Sequence, residues 1–135
     1  MATAIKTKEQ KQTRTGTDYG RFFGEMYAFN NSLKLFHWHV SGPGSYAQHM
    51  ALDEALTTLA DAMDRIVETT YAMKGDIEVV IPQTNTPRNI ETHCEKFFKY
   101  IDEQGEMFEE DFSTAILDDY QEAIQQLLYR LKRLQ

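Results

Sequence analysis

A cluster of turn-forming residues, Gly42, Pro43 and Gly44, separates two long stretches of helical periodicity. Glycine and proline in such a cluster end regular structure, so the chain has to turn there. Apolar residues recur at helical spacing on both sides, which predicts helices over roughly 17–41 and 46–73. Two long helices joined by so short a loop pack antiparallel, and we therefore predict a helical hairpin.

The second half of the chain predicts two further helices, over about 89–108 and 114–134, with Ser113 as the N-cap of the last one. Their apolar stripes consist of Ile90, Cys94, Phe97, Ile101 and Phe108, and of Ile116, Tyr120, Ile124, Leu127, Leu131 and Leu134. Residues 74–88 connect the two pairs and contain a short apolar run interrupted by glycine and proline. That run is compatible with a short helix or with an extended crossover. The predicted fold class is all-α, with four helices.

Charge is distributed unevenly along the chain. The 135 residues carry a formal net charge of −7, yet residues 1–16 hold four basic residues and one acidic residue. This segment is polar and rich in Lys, Thr and Gln, a composition that predicts a flexible basic tail. We therefore divide the chain into a tail over 1–16 and a single bundle domain over 17–135. The acidic body of the chain is expected to attract cations.

The single cysteine and the absence of long apolar runs indicate the cellular compartment in which we expect the protein. Cys94 is the only cysteine, so it cannot form a disulfide within the chain, and it suits a reducing environment. No N-terminal apolar stretch resembles a secretion signal, and no run of about 18 apolar residues could span a membrane. We therefore expect a cytoplasmic protein without a membrane partner.

Side chains that bind metals recur on one face of the hairpin. Asp53 lies about 40° round the second predicted helix from His49. Asp64 and Glu68 follow at about 60° and 100°, on the same face. His37 lies as far before the turn as His49 lies after it, so the two can face each other across the hairpin. Imidazole and carboxylate groups together are ligands for Fe(II), Zn(II) and Mn(II), so this face is a candidate metal site.

These ligands cannot all bind one ion within one chain. The axial distance from His49 to Asp64 is about 22 Å, whereas a metal–ligand bond is about 2 Å long. Either the two pairs work separately, or a second copy packs antiparallel across a two-fold axis. In the second case the histidines of one copy meet the later carboxylates of the other, and two equivalent sites result.

The spacing of these residues resembles the signature of the Dps proteins, or mini-ferritins. His37 and Trp38 match a His-Trp pair near the end of the first helix, which is followed by a turn of small residues. His49 and Asp53 match a His-x-x-x-Asp motif on the second helix. An Asp-x-x-x-Glu motif comes eleven residues after that aspartate, and every spacing is kept over 18–68.

The resemblance implies a ferritin-like four-helix bundle with a long crossover between the second and third helices, assembled from two-fold dimers into a hollow dodecamer. It implies an iron-storage protein with ferroxidase activity that oxidises Fe(II) with hydrogen peroxide and limits oxidative stress. The implied iron ligands, shared between subunits, are His37, His49, Asp64 and Glu68. Asp53 would be a further ligand or would support one, and Trp38 would lie beside the site. Zn(II) or Mn(II) could occupy the same ligands.

A different class of protein also fits the sequence. The chain could be a structural or DNA-binding protein that keeps the ferritin-like bundle without significant ferroxidase activity, its basic tail contacting DNA phosphates. Other candidate ligands are placed unfavourably. His39 lies about 200° round the helix from His37, and the adjacent His93 and Cys94 diverge by about 100°. The sequence also has no Glu-x-x-His motif of the kind that builds a di-iron centre inside one bundle.

Overall fold

The computed structural model describes residues 16–134, and four α-helices make up most of this stretch. The elements are α1 (Thr17–His39), α2 (Ser45–Lys74), α3 (Ile90–Gln104), a short 3-10 turn (Gly105–Met107) and α4 (Asp111–Arg133). The prediction of an all-α chain with four helices is confirmed, and no strand occurs between residues 16 and 134. None of these helices combines the length and the apolar character needed to cross a membrane. The predicted basic tail lies outside the described residues, apart from Gly16.

α1 and α2 form the predicted hairpin, and glycines make its turn. Gly42 and Gly44 have φ angles of 88° and 79°, in the left-handed region that residues with a β-carbon rarely adopt. A β-carbon at Gly44 would also lie 2.7 Å from the carbonyl oxygen of Leu134, at the end of α4. The turn is therefore fixed both by its own backbone and by the helix that ends against it.

The later helices begin close to their predicted positions, with one difference. Asn89 is the N-cap of α3, and its side chain accepts a hydrogen bond of 3.0 Å from the backbone N–H of Thr92. α4 begins at Asp111, two residues before the predicted N-cap, Ser113. Ser113 lies instead in the first turn of the helix and is fully buried. The N-cap prediction was wrong because this small side chain fills space in the core rather than capping the helix.

Aromatic and aliphatic side chains fill the interior in two zones. An aromatic cluster forms around α1, where the rings of Phe22 and Phe108 meet edge to face with centroids 5.4 Å apart. Aliphatic side chains join α2 to α4, and the fully buried ones include Leu52, Leu59, Ile66, Ile124, Leu127 and Leu131. Burying each such side chain contributes roughly 1.5–3 kcal/mol. This core fixes which faces of α1 and α2 stay free for other contacts.

The directions of the helices follow from contacts between them. Near the middle of α1, Phe29 stacks on Phe97 of α3. Earlier in α1, Phe22 stacks on Tyr100, which comes later in α3, so these two helices run antiparallel. α2 is also antiparallel to α1, because the two form a hairpin. α2 and α3 are therefore parallel, and the connection between them, residues 75–89, has to return along the bundle.

This crossover, residues 75–89, is extended rather than helical, which decides the question that the sequence left open. It crosses α1 at Gly20 and Gly24, where a β-carbon would collide with the carbonyl oxygens of Glu78 and Val80. The backbone N–H of Val80 donates a hydrogen bond of 3.2 Å to the carbonyl oxygen of Gly20. The two glycines therefore let the crossover lie directly on the backbone of α1.

Candidate metal site

The structure brings His37 and His49 together across the hairpin. Their rings stack with centroids 3.6 Å apart and planes inclined by 26°. His49 Nδ1 lies 3.2 Å from the backbone carbonyl oxygen of His37. A carbonyl oxygen only accepts, so Nδ1 is the donor in this contact, and the neutral tautomer that makes it has its lone pair on Nε2. This contact fixes His49 in a tautomer whose Nε2 can bind a metal.

His37 is buried, and neither of its ring nitrogens has a hydrogen-bond partner among the described residues. Only 5% of the residue is exposed. The Asp53 carboxylate lies 3.8 Å from Nε2, which is too far for a hydrogen bond. Burial, and then the neighbouring His49 and Lys34, lower the pKa of His37. The ring is therefore neutral with an unused lone pair, and an unpaired buried group of this kind costs roughly 1–3 kcal/mol.

The Asp53 carboxylate has two neighbours, the ring of His37 and the cationic side chain of Lys34. Its carboxylate lies 3.9 Å from Lys34 Nζ, and its side chain is about half exposed. Lys34 Nζ also lies 5.9 Å from the centre of the Trp38 ring. The sequence-based site did not include Lys34, although its position three residues before His37 puts both on the same face of α1. A cation at this place would compete with any metal ion for Asp53.

Asp64 and Glu68 lie one turn apart further along α2, and both are exposed. Neither side chain makes a hydrogen bond or an ion pair with any other residue between 16 and 134. They border a groove of about 850 Å³ between α1, α2 and the crossover, and Asp53 borders the same groove. Its apolar lining includes Tyr27, Leu56, Met63, Val67, Val79 and Ile81. These two carboxylates are therefore accessible to a ligand or a partner.

One chain thus holds two separate sets of candidate ligands. What we call the histidine end consists of Asp53, which borders the groove, and of His37 and His49 beside it. The acidic end consists of Asp64 and Glu68, which both border the groove. About 16 Å of helix separates Asp53 from Asp64 along α2. Within residues 16–134, no group of three or more His, Cys, Asp or Glu side chains is arranged to hold a metal ion. The two ends do not meet inside one chain.

The remaining histidines and the cysteine take no part in the groove. His39 is exposed at the end of α1. His93 Nε2 lies 2.7 Å from Ser32 Oγ, and the ring of His93 stacks on Phe29. Cys94 is fully buried, and burial raises the pKa of its thiol to about 12. A thiol with so high a pKa stays protonated near neutral pH, which disfavours it as a metal ligand.

Comparison with known proteins places the chain in a family without giving it a function. No curated protein and no solved structure matches the chain. A family model matches residues 37–131, which is more than half of the chain and contains both ends of the groove. The chain therefore belongs to DUF5856, a family of unknown function.

Proposed function

We propose that this chain is a ferroxidase that binds Fe(II) between two copies of itself, as a ferritin-like iron-storage protein of the Dps kind. The observation that carries the proposal is the histidine end of the groove. His37 is buried, neutral and unpartnered, and His49 is held with its Nε2 free. Native proteins rarely leave both ring nitrogens of a buried histidine unpaired, and a metal ion would bind one of them.

A second copy would supply the ligands that one copy lacks. The acidic end is exposed and lies in the same groove as Asp53. When two copies pack groove to groove across a two-fold axis, the acidic end of each meets the histidine end of the other. Each of the two equivalent sites then has two imidazoles and at least two carboxylates. This mixed set suits Fe(II), and its oxygen donors stabilise the Fe(III) that forms.

Fe(II) is the substrate of the proposed reaction, and hydrogen peroxide is the oxidant that the Dps resemblance implies. A pair of Fe(II) ions gives up one electron each, the O–O bond of peroxide breaks, and protons from solvent complete two water molecules. The neutral imidazoles add no charge, whereas the carboxylates offset the positive charge that grows as iron is oxidised. By the same resemblance, the ferric product collects inside a hollow dodecamer.

The directions of the helices support the ferritin-like part of the proposal. α2 and α3 run parallel and are joined by a long connection, as in ferritin-like bundles with one crossover. The chain has a net charge of −7, although residues 1–16 are basic, so the body that carries the groove is strongly acidic. Such a body attracts Fe(II) from solution.

One contact favours a second candidate, a structural or DNA-binding protein that has the same bundle and no ferroxidase activity. Lys34 Nζ lies 3.9 Å from Asp53, so a cation of the protein already faces a carboxylate of the histidine end. If this pair persists after assembly, the histidine end keeps its shape without a metal. The two candidates differ in whether iron displaces Lys34 from Asp53.

A mixture of two inactive variants tests whether the site is shared. His37→Ala/His49→Ala removes the histidine end, and Asp64→Asn/Glu68→Gln removes the acidic end. After anaerobic loading with Fe(II), each variant alone should lose the rapid rise in ferric absorbance that peroxide produces. Co-refolding equal amounts of both should restore about a quarter of the wild-type sites, because half of the dimers are mixed and each has one intact site.

His39→Ala is the matched control, since it changes an exposed histidine outside the groove, and it should oxidise iron as the wild type does. Light scattering establishes that every variant has the wild-type mass. A mixture that assembles but stays inactive would show that the site is not shared. If both double variants oxidise iron at the wild-type rate, the groove is not a ferroxidase and the structural candidate replaces it.

A further inference from the structure

Trp38 is the only tryptophan of the chain, and it lies on the surface beside the histidine end. It is 66% exposed, although it directly follows the buried His37. Tryptophan is a residue type that interfaces bury preferentially, because it combines a large apolar area with few rotatable bonds. Its position next to a site that needs a second copy suggests that the second copy covers it.

The crossover forms an apolar wall at the acidic end of the groove. Val79 and Ile81 both line the groove, whereas Val80 between them does not. Successive side chains of an extended segment point to opposite sides, which accounts for the difference. Ile81 and Val80 are 49% and 56% exposed, so each can be replaced by a charged residue without disturbing the core of the isolated chain.

The two-fold arrangement that completes the metal sites also determines what lies opposite Trp38. It places position 53 of α2 opposite position 64 of the second copy, and position 49 opposite position 68. His37 is level with His49, since their rings stack, so Trp38 comes level with Glu68 of the second copy. Val80 of the crossover is hydrogen-bonded to Gly20, near the start of α1 and therefore at the end of the hairpin that carries Glu68. Its neighbours Val79 and Ile81 border the groove there. Trp38 therefore arrives at the apolar wall of the second copy.

The charges of the groove favour the same register. Lys34 borders the groove at the histidine end, and the acidic end carries two carboxylates. Antiparallel packing brings Lys34 of each copy toward Asp64 and Glu68 of the other. Parallel packing would instead bring four carboxylates together, and such juxtaposed like charges disfavour an interface. A second copy of this chain is thus the occupant whose charges fit the groove.

We infer that Trp38 of each copy packs against Val79 and Ile81 of the second copy, so that the extended crossover is a docking surface for the partner subunit. This inference rests on the proposed function for its two-fold arrangement. It adds a contact outside the metal ligands, and it assigns a role to alternate residues of the crossover. The contact occurs twice in each dimer and covers the groove beside both sites.

The single tryptophan makes this contact measurable in the full chain. In the wild type, Trp38 should emit at short wavelength and resist quenching by acrylamide, although one subunit alone leaves it exposed. Ile81→Asp puts a charge in the contact and should shift the emission to longer wavelength and weaken self-association about tenfold or more. Val80→Asp, the matched control, adds the same charge on the outer side and should behave as the wild type.

Circular dichroism establishes that both variants are folded, and sedimentation gives their association. The inference is overturned if Ile81→Asp leaves emission and association unchanged, or if acrylamide quenches Trp38 of the wild type as freely as in denaturant. Measuring iron oxidation on the same samples distinguishes a failure of the Trp38 contact from a failure of the proposed ferroxidase. Protected Trp38 without iron oxidation defeats the ferroxidase alone, whereas rapid iron oxidation with freely quenched Trp38 defeats the contact alone.

Discussion

His37 beside the groove is buried and His93 on α3 is half-buried, but only the ring of His93 has a hydrogen-bond partner among the described residues. His93 Nε2 lies 2.7 Å from Ser32 Oγ, and its ring stacks on Phe29. The Ser32 hydroxyl donates its hydrogen to the carbonyl oxygen of Phe29 at 2.6 Å, so Nε2 of His93 is the donor in its own contact. His37 stacks on His49, yet neither of its ring nitrogens has a partner among the described residues.

The comparison shows that burial alone does not identify a metal ligand. Burial lowers the pKa of His37 and of His93, so both rings are neutral near pH 7. A neutral ring that donates to a serine is explained by the structure in which it lies. A neutral ring with an unused lone pair beside a carboxylate is explained only when something binds it.

The largest expected difference between the two histidines is in metal binding. His37→Leu should lower the affinity for Zn(II), a substitute that is not oxidised, by more than about 100-fold, because a proposed direct ligand is lost. His93→Leu should leave the affinity within about twofold of the wild type, since the partners of His93, Ser32 and Phe29, do not border the groove. Isothermal titration calorimetry measures both. If both variants lose the same Zn(II) affinity, His37 is no more a metal ligand than His93.

The same substitutions should differ in their effect on the stability of the metal-free protein. His93→Leu deprives the buried Ser32 of a hydrogen-bond donor and should lower the free energy of unfolding by about 1–3 kcal/mol. His37→Leu removes a polar ring without a hydrogen-bond partner and should leave that free energy unchanged or raise it. Urea unfolding with a chelator present gives both values. A strong destabilisation by His37→Leu would contradict the conclusion that the ring nitrogens of His37 have no hydrogen-bond partner.

Acid should weaken the fold partly through His93. Burial, and then the charge of Lys96, lower the pKa of His93 below its ordinary value of 6.5. The unfolded chain therefore binds this proton more readily, so the contribution to stability is complete above that value and is lost as the pH falls below it. His93→Gln should show a shallower loss of stability on acidification than the wild type. His39→Gln, which changes an exposed histidine, should follow the wild-type curve of urea midpoints against pH.

The sequence predicts the hairpin well and the crossover poorly, for a physical reason. Two strong signals, the glycine-rich turn and long helical periodicity, define α1 and α2 to within about two residues. The apolar run of the crossover is too short for its periodicity to distinguish a strand from a helix. Its conformation is decided by Gly20 and Gly24 on α1, which lie far away in the sequence and allow the backbones to touch.

Some features of the candidate site could likewise be predicted from the sequence, and others could not. The distances of His37 and His49 from the turn were sufficient to predict that they meet, because the hairpin has one register. The tautomer of His49 depends on a backbone carbonyl, which a pattern of side chains does not reveal. Nothing in the sequence was a reason to include Lys34 in the site, because a lysine on a helix surface is usually solvated. Only the distance from its Nζ to the Asp53 carboxylate distinguishes it from other surface lysines.

Replacing Lys34 should have the smallest of these effects. It tests whether the charge beside Asp53 affects metal binding at the histidine end, a charge that His93 does not have beside it in the same way. Lys34→Met keeps roughly the length of the side chain and removes the charge that would compete with a metal ion for Asp53. An exposed ion pair contributes about 0–1 kcal/mol, so the affinity for Zn(II) should rise by about two- to fivefold, and less at high salt. Lys99→Met, an exposed position on α3, should change nothing. If Lys34→Met lowers the affinity instead, Lys34 holds Asp53 in place for the metal, and the cation belongs to the site rather than competing with it.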